Sequence, residues 1–277
     1  MYIICNECGY SGNTLNVGNN IYQILNTLLE ADKNNDNIDL SIMYYLDPLI
    51  NIKKIEIVFN ILHEKKNIIE QHHFMPKNLH LVNERRIDLS KFFILSKKYI
   101  QSCLNCDIKP LDSRICLIHI RSSDIFSNLP HSGYIQPPLN YYKKIIDDTE
   151  HLYNKYIIIT EPDLENPCIK LLNGYKNKVE IKLDSVFNDY NLLLKTQSII
   201  LSRSSFSDSS IFISPNIKNI YFWNYGHNLC DTSIVPSHIN LHKYDLIEKY
   251  IELGKWTHSK SQLDLMINYK IENIVKV

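Results

Sequence analysis

Two short polar clusters carry the side chains that handling a phosphate group requires. The first, His119-Ile120-Arg121-Ser122-Ser123-Asp124, continues the apolar run Ile115 to Ile118. An arginine leaving a strand at its carboxyl end, with hydroxyls beside it, suits a diphosphate, because its planar fork donates two parallel hydrogen bonds and stays charged. The plainer alternative is an Arg121–Asp124 ion pair that only shapes a turn. The second cluster, Ser202-Arg203-Ser204-Ser205-Phe206-Ser207, closes another apolar run and opens a helical pattern that continues through Ile213. Free N–H groups and partial positive charge at a helix start would let Ser204, Ser205 and Ser207 cradle the same phosphates, although serines there also serve as ordinary caps. Each cluster alone is commonplace. Together, at strand ends of one sheet, they define a candidate anion site.

The elements that must hold these clusters follow from periodicity. In the second half, the strand at Ile115 to Ile120 gives way to Pro137-Pro138 and then to Leu139, Tyr142, Ile145 and Ile146 at helical spacing. The alternation repeats: strand Tyr156 to Thr160, a short helix after Pro167, strand Val179 to Leu183, a helix through Val186, Tyr190, Leu193 and Leu194, then strands Ser198 to Ser202 and Ile220 to Trp223. Short apolar strands alternating with amphipathic helices predict a parallel sheet covered on both faces.

The first half is less regular. Tyr2 to Cys5 reads as a strand, Ile21, Ile24, Leu25, Leu28 and Leu29 fill one helix face, and Ile38 to Tyr44 and Ile55 to Phe59 read as further strands. The polar, His-rich segment 64–86 is expected to cross the surface, and Asp107 to Ser113, with Pro110, reads as a linker. Beyond Trp223, helices are expected over Tyr244 to Leu253 and Gln262 to Ile274, with Gly254 as a stop. The expected organisation is an α/β domain at 1–110 and a doubly wound domain with C-terminal helices at 111–277, facing each other across a cleft.

Composition narrows the function classes. Thirty basic against thirty acidic residues leave no net charge to draw the chain onto a nucleic acid or an acidic membrane surface. No stretch approaches the ~20 apolar residues that span a bilayer, and the start lacks the basic and apolar regions of a signal peptide, so the expectation is a soluble, cytoplasmic protein without a membrane span. Seven cysteines make an odd count that does not suggest a disulfide framework. Cys5-x-x-Cys8 and Cys103-x-x-Cys106 together have the ligand count of a zinc site, against the alternative that they are small apolar fillers; a zinc-stabilised interaction protein is therefore one rival reading. Ala31 is the sole alanine while Ile, Asn, Lys and Tyr crowd every segment, a bias that weakens propensity as a guide.

The ordered set of motifs resembles the α-1,2-fucosyltransferase-like glycosyltransferases. His119-x-Arg121-x-Ser123-Asp124 is similar to that family's H-x-R-x-G-D signature, and His131-Ser-Gly-Tyr134-Ile-Gln136-Pro-Pro-Leu139 to its downstream H-x-x-Y-x-Q-P-P-L element. Ile158-Ile-Thr160-Glu161-Pro-Asp163 with Asn166-Pro167 resembles its next strand and loop, and Asp189-Tyr-Asn-Leu-Leu193 followed by Ser204-Ser-Phe-Ser207 its D-x-x-L-M and S-S-F-S elements. Near the start, Gly18-Asn19-Asn-Ile-Tyr-Gln23 is similar to the family's G-N-Q-L-F-Q turn on the donor side. The chain departs from the pattern at Ser123, where the family has Gly, at Arg203, where Asn is common, and at Asp208-Ser209, which replace an aromatic pair.

The resemblance implies a GT-B fold, two Rossmann-like halves with the nucleotide-sugar on the second, and transfer from a GDP-sugar, fucose favoured, to a glycan hydroxyl. It implies donor contacts from His119, Arg121, Ser122, Ser123, Thr160, Glu161, Ser204, Ser205, Phe206 and Ser207. A glycosyltransferase must stabilise a departing nucleoside diphosphate with a divalent ion on a D-x-D motif or with fixed donors. The chain has no D-x-D, and Glu161-Pro-Asp163 would need both carboxylates on one ion, so no metal and no cofactor beyond the co-substrate is expected. Inversion by direct displacement needs a group to take the proton of the attacking hydroxyl; Asp124 and His131 are the candidates, with Tyr134 and Gln136 placed to contact the sugar. A catalytically inactive nucleotide-sugar-binding module is the second rival.

Overall fold

The computed structural model describes residues 2–4, 17–35, 37–62, 90–127, 130, 135–223 and 235–277. In the first half, β1 (Tyr2–Ile4) pairs in parallel with β2 (Asn37–Asp39), and α1 (Val17–Asn34) is the crossover between them. Two helices follow, α2 (Ile52–Leu62) and α3 (Ser90–Leu95), the latter running on into a wider π turn at Ser96–Ile100.

Two expected strands are corrected here. Ile55 to Phe59 lies inside α2, where Ile52, Ile55 and Phe59 are fully buried at helical spacing while Ile57 and Ile61 are exposed; a short isoleucine-rich run fits either period, and burial on one side of a helix decides it. Ile38 to Tyr44 stays extended only to Asp39. There the Leu40 amide donates to the Glu56 carboxylate, and the chain coils into the 3-10 turn Ser41–Leu46.

The second half is one mixed sheet with helices on both faces. Its strands are β3 (Ile115–His119), β4 (Lys155–Ile159), β5 (Val179–Lys182), β6 (Ser198–Ile200), β7 (Asn219–Trp223), β8 (Asn240–Leu246) and β9 (Ile274–Lys276). Between them run α4 (Leu139–Thr149), α5 (Pro167–Leu172), α6 (Val186–Lys195), α7 (Ser205–Ile213) and α8 (Lys260–Asn268). The order across the sheet is β5-β4-β3-β6-β7-β8-β9, parallel throughout except for β8 against β9. From β3 the chain winds outward to β5, then returns to β6 on the other side, which is the order of a doubly wound, Rossmann-like sheet. The reversal lies between β3 and β6, where such sheets open a crevice at their carboxyl ends.

The expected C-terminal helices are corrected in part. Tyr244 is in β8, paired with Trp223 of β7, so non-local pairing overrides the helical spacing of Tyr244, Tyr250 and Ile251. Residues 262–274 shorten to α8, and the chain ends in β9.

Alternation sorts the strand side chains onto two faces. Leu117, Ile157, Ile159, Ile199 and Phe222 point into one apolar cluster with α1, α6 and α7; Cys116, Ile118, Ile158, Ile200 and Trp223 point into another with α4 and α5. The second cluster is rich in tyrosine, and several of its hydroxyls find partners, Tyr153 Oη with Tyr221 Oη at 2.9 Å and Tyr141 Oη with the Leu201 carbonyl at 3.0 Å, while that of Tyr142 is buried without one.

The first cluster also joins the two halves. The Phe212 ring of α7 lies 5.9 Å from Tyr22 of α1, 5.5 Å from Phe92 and 4.9 Å from Phe93 of α3. The expected linker is itself tied down, with Asp107 paired to Lys195 Nζ at 2.7 Å and the Ile108 carbonyl accepting from Asn216 Nδ2 at 2.8 Å. Among the described residues, no helix is long and apolar enough to cross a membrane.

Candidate functional site

The two sequence clusters meet at the reversal of the sheet. His119 ends β3 and Ser202 follows β6, two neighbouring strands, and the His119 Nδ1 lies 3.2 Å from Ser202 Oγ. His119 is buried, with its ring 5.6 Å from that of Phe206 at the start of α7. Burial, reinforced by the positive charge of Arg121, pulls its pKa down to about 3. The imidazole is therefore neutral at working pH and offers a hydrogen bond, not a charge.

Arg121 stands two residues beyond that histidine. Its Nε and Nη2 hold both oxygens of Asp124 at 2.8–3.2 Å, with the arginine side chain 19% exposed and the aspartate 54%. The turn-shaping pair that the spacing allowed is thus present, and it takes up the Nε–Nη2 edge of the guanidinium. The backbone around it is shaped by Ser123, which sits at φ 53°, in the left-handed region that glycine enters without strain.

Most of the hydroxyls expected to touch a donor have partners within the chain, and Thr160 is the exception. Ser122 is fully buried: its amide donates to Glu161 Oε2 at 2.7 Å, its hydroxyl donates to Asp163 Oδ1 at 2.6 Å and accepts from the Asn166 amide at 2.9 Å. Partial burial works against the Asp163 charge, yet hydrogen bonds from Glu165, Ser122 and Ser123 hold its pKa below the ordinary carboxylate value. Glu161 is the opposite case. Burial raises its pKa, against the Ser122 amide and the Arg121 charge. Thr160, which follows β4, is buried, and its Oγ1 finds no hydrogen-bond partner.

At the start of α7, Ser204 is the N-cap, its Oγ accepting from the Phe206 amide at 3.3 Å. The Ser207 and Ser210 hydroxyls turn back to carbonyls one turn earlier, at 3.3 and 2.7 Å. What this helix start offers an anion is its backbone N–H groups and not a row of hydroxyls.

Gly18 brings a second helix start to the same place. Gly18 and Asn19 lie inside the first turn of α1, not ahead of it. A Cβ on Gly18 would fall 2.5 Å from both the Ser205 carbonyl oxygen and the Phe206 amide nitrogen. Only a residue without a side chain lets α1 approach α7 this closely.

Four further residues support the loop that carries Arg121; Gln136 and Asn166 belong to the sequence motifs, whereas Tyr250 and Trp256 carry no such signal. Asn166 is buried, and its Nδ2 donates to the Arg121 carbonyl at 2.9 Å and to Gln136 Oε1 at 3.2 Å. Gln136 is itself buried, its Nε2 donating to the Ile135 carbonyl at 3.1 Å, so its amide braces the loop from behind. From the C-terminal segment, Tyr250 Oη donates to the Gln136 carbonyl at 2.9 Å and Trp256 Nε1 to the Ile125 carbonyl at 2.7 Å. Asn-Pro before a helix was a readable cap signal for Asn166; its reach to Arg121, distant in sequence, was not.

Asp189, in the first turn of α6, is buried with Oδ1 unpartnered. Burial, with the charges of Asp184 and Glu161 adding to it, pushes its pKa up to about 6. The expected base His131 and sugar contact Tyr134 lie outside the described residues, as do Cys5 and Cys8 of the proposed zinc set. Cys103 is a buried free thiol and Cys106 a half-buried one. Among the described residues no group of three His, Cys, Asp or Glu side chains is placed to hold a metal ion. No protein-family profile, characterised protein or solved structure matches the chain.

Proposed function

We propose that the chain is a GT-B glycosyltransferase of the α-1,2-fucosyltransferase-like kind, moving a sugar, fucose favoured, from a GDP-sugar to a glycan hydroxyl with inversion. The observation that carries this reading is the convergence of Arg121 beyond β3, the start of α7 beyond β6 and Gly18 of α1 on one sheet reversal. Such a reversal binds nucleotides in doubly wound sheets generally.

In this reading the diphosphate lies on the α7 side of Arg121, away from Asp124, which holds the Nε–Nη2 edge, and from the nearby Glu161 carboxylate. Arg121 and the α7 N–H groups stabilise the leaving charge without reorganising, and a neutral His119 adds a hydrogen bond. The chemistry proposed is metal-independent: Glu161 and Asp163, the one pair resembling an ion-holding motif, each accept a hydrogen bond from Ser122. Asp124 can take the acceptor's proton only after Arg121 releases it, and His131 is the other candidate base.

The test is nucleotide release. Purified chain incubated with GDP-fucose should liberate GDP, slowly by hydrolysis and faster when glycan acceptors are added, and Arg121→Ala should abolish both. GDP binding with no release under any acceptor would instead establish the inactive binding module.

A further inference from the structure

We propose that Asn166 is the positioning residue of the anion site, fixing where Arg121 leaves β3; the inference rests on the reading of Arg121 as the diphosphate ligand. Asn166 is 1% exposed, and every polar group of its side chain has a partner. Its Oδ1 caps α5 through the Cys168 amide at 3.0 Å, its Nδ2 hydrogens go to the Arg121 carbonyl and to Gln136 Oε1, and its own amide goes to Ser122 Oγ at 2.9 Å. One side chain therefore ties the β4–α5 loop to both flanks of the Arg121 loop.

The tie matters because it acts on the Arg121 backbone itself, in a loop otherwise anchored further along, at Ser122 and at the Ile125 carbonyl. The loop contains a non-glycine residue at positive φ and an ion pair whose carboxylate is more than half exposed, and such a pair contributes little to holding a backbone in place. A buried donor to the Arg121 carbonyl is the stronger restraint.

Cap and tie can be separated by substitution. Asn166→Ser keeps a good N-cap but lacks the two Nδ2 donors, without adding charge. Asn166→Asp keeps the cap and can donate only when its carboxyl is protonated. Arg121, Asp124, Glu161, Asp163, Glu165 and Cys168 face or flank this position in wild type and variants alike, so each affinity is taken as a ratio to wild type at the same pH. Titrations with GDP and with inorganic pyrophosphate between pH 5 and 8 should show Asn166→Ser weakened about tenfold at every pH. Asn166→Asp should be weakened at pH 8 and recover towards wild type at pH 5. Hydrogen exchange of the ligand-free proteins should show faster exchange at the 121–124 amides in Asn166→Ser, with the amides of β4 and β6 unchanged.

Asn166→Ser with wild-type affinity and unchanged protection at 121–124 would overturn the proposal. A folded wild-type chain that binds neither probe sinks the anion-site reading instead, and the positioning role is then decided by the exchange data alone.

Discussion

Replacing Gly18 by alanine tests whether the close contact of two helix starts builds the site. The added Cβ would lie 2.5 Å from the Phe206 nitrogen and the Ser205 oxygen, both backbone atoms that no rotamer change can move. That is roughly 1 Å short of ordinary van der Waals contact, so α1 must shift or tilt away from α7 by about that distance. Overpacking of this kind costs about 1–3 kcal/mol, and the gain from alanine over glycine within a helix returns about 0.5–1 kcal/mol, leaving a net loss centred near about 1 kcal/mol. For a chain of this size the melting temperature should fall by about 2–4 °C, and GDP affinity should fall with it because the α7 N–H groups move relative to Arg121. Thermal unfolding and titration calorimetry on the same preparations measure both. A variant with unchanged melting temperature would show that the helix starts are not in contact; one that melts lower but binds GDP as before would show that the contact does not shape the site.

Other perturbations follow from the same geometry. Ser123→Gly and Ser123→Ala both lose the hydroxyl that serves Asp163, so urea titrations should find the glycine variant more stable by about 1 kcal/mol, the cost of a Cβ at φ 53°; equal stability would contradict that backbone assignment. Asp189 has its folded pKa raised to about 6, above its unfolded value, so it binds more protons when folded and its ionisation progressively destabilises the fold as pH rises through that window. Asp189→Asn should accordingly stabilise the chain above pH 6 and have little effect near pH 4; a gain independent of pH would refute the burial argument. Trp256→Phe keeps an aromatic ring beside Phe126 but loses the donor to the Ile125 carbonyl, and should cost about 1–2 kcal/mol in the same denaturation assay.

The sequence was most readable where burial on two sides leaves a simple signal. Strands such as Ile115–His119 and Lys155–Ile159 are buried by helices above and below, so they appear as short apolar runs with helical patterns between them, and the strand reversal follows from their order. Legibility failed where local and non-local forces compete. Ile55 and Phe59 suit either a strand or a helix, and only the packing of α2 settles which. Tyr244 and Tyr250 mimic a helix face, yet pairing with β7 makes the first a strand residue.

At the site, residue types were informative and partners were not. Arg121 and Asp124 were both singled out, but that they grip each other depends on how the 3-10 turn after Ser123 folds. Ser122 offered a hydroxyl that looked fit for a ligand; its burial against Asp163 and Asn166 arises from a loop far along the chain. Asp189 gave no sign in the sequence that one oxygen would be buried without a partner.

In the proposed function Arg121 receives a diphosphate at the crevice between β3 and β6. Calorimetric titration of wild type and Arg121→Ala with GDP, each checked for fold by circular dichroism, tests it most directly. Wild type should bind GDP, and the alanine variant, equally folded, should bind at least tenfold more weakly. Equal GDP affinity in the two proteins would contradict it.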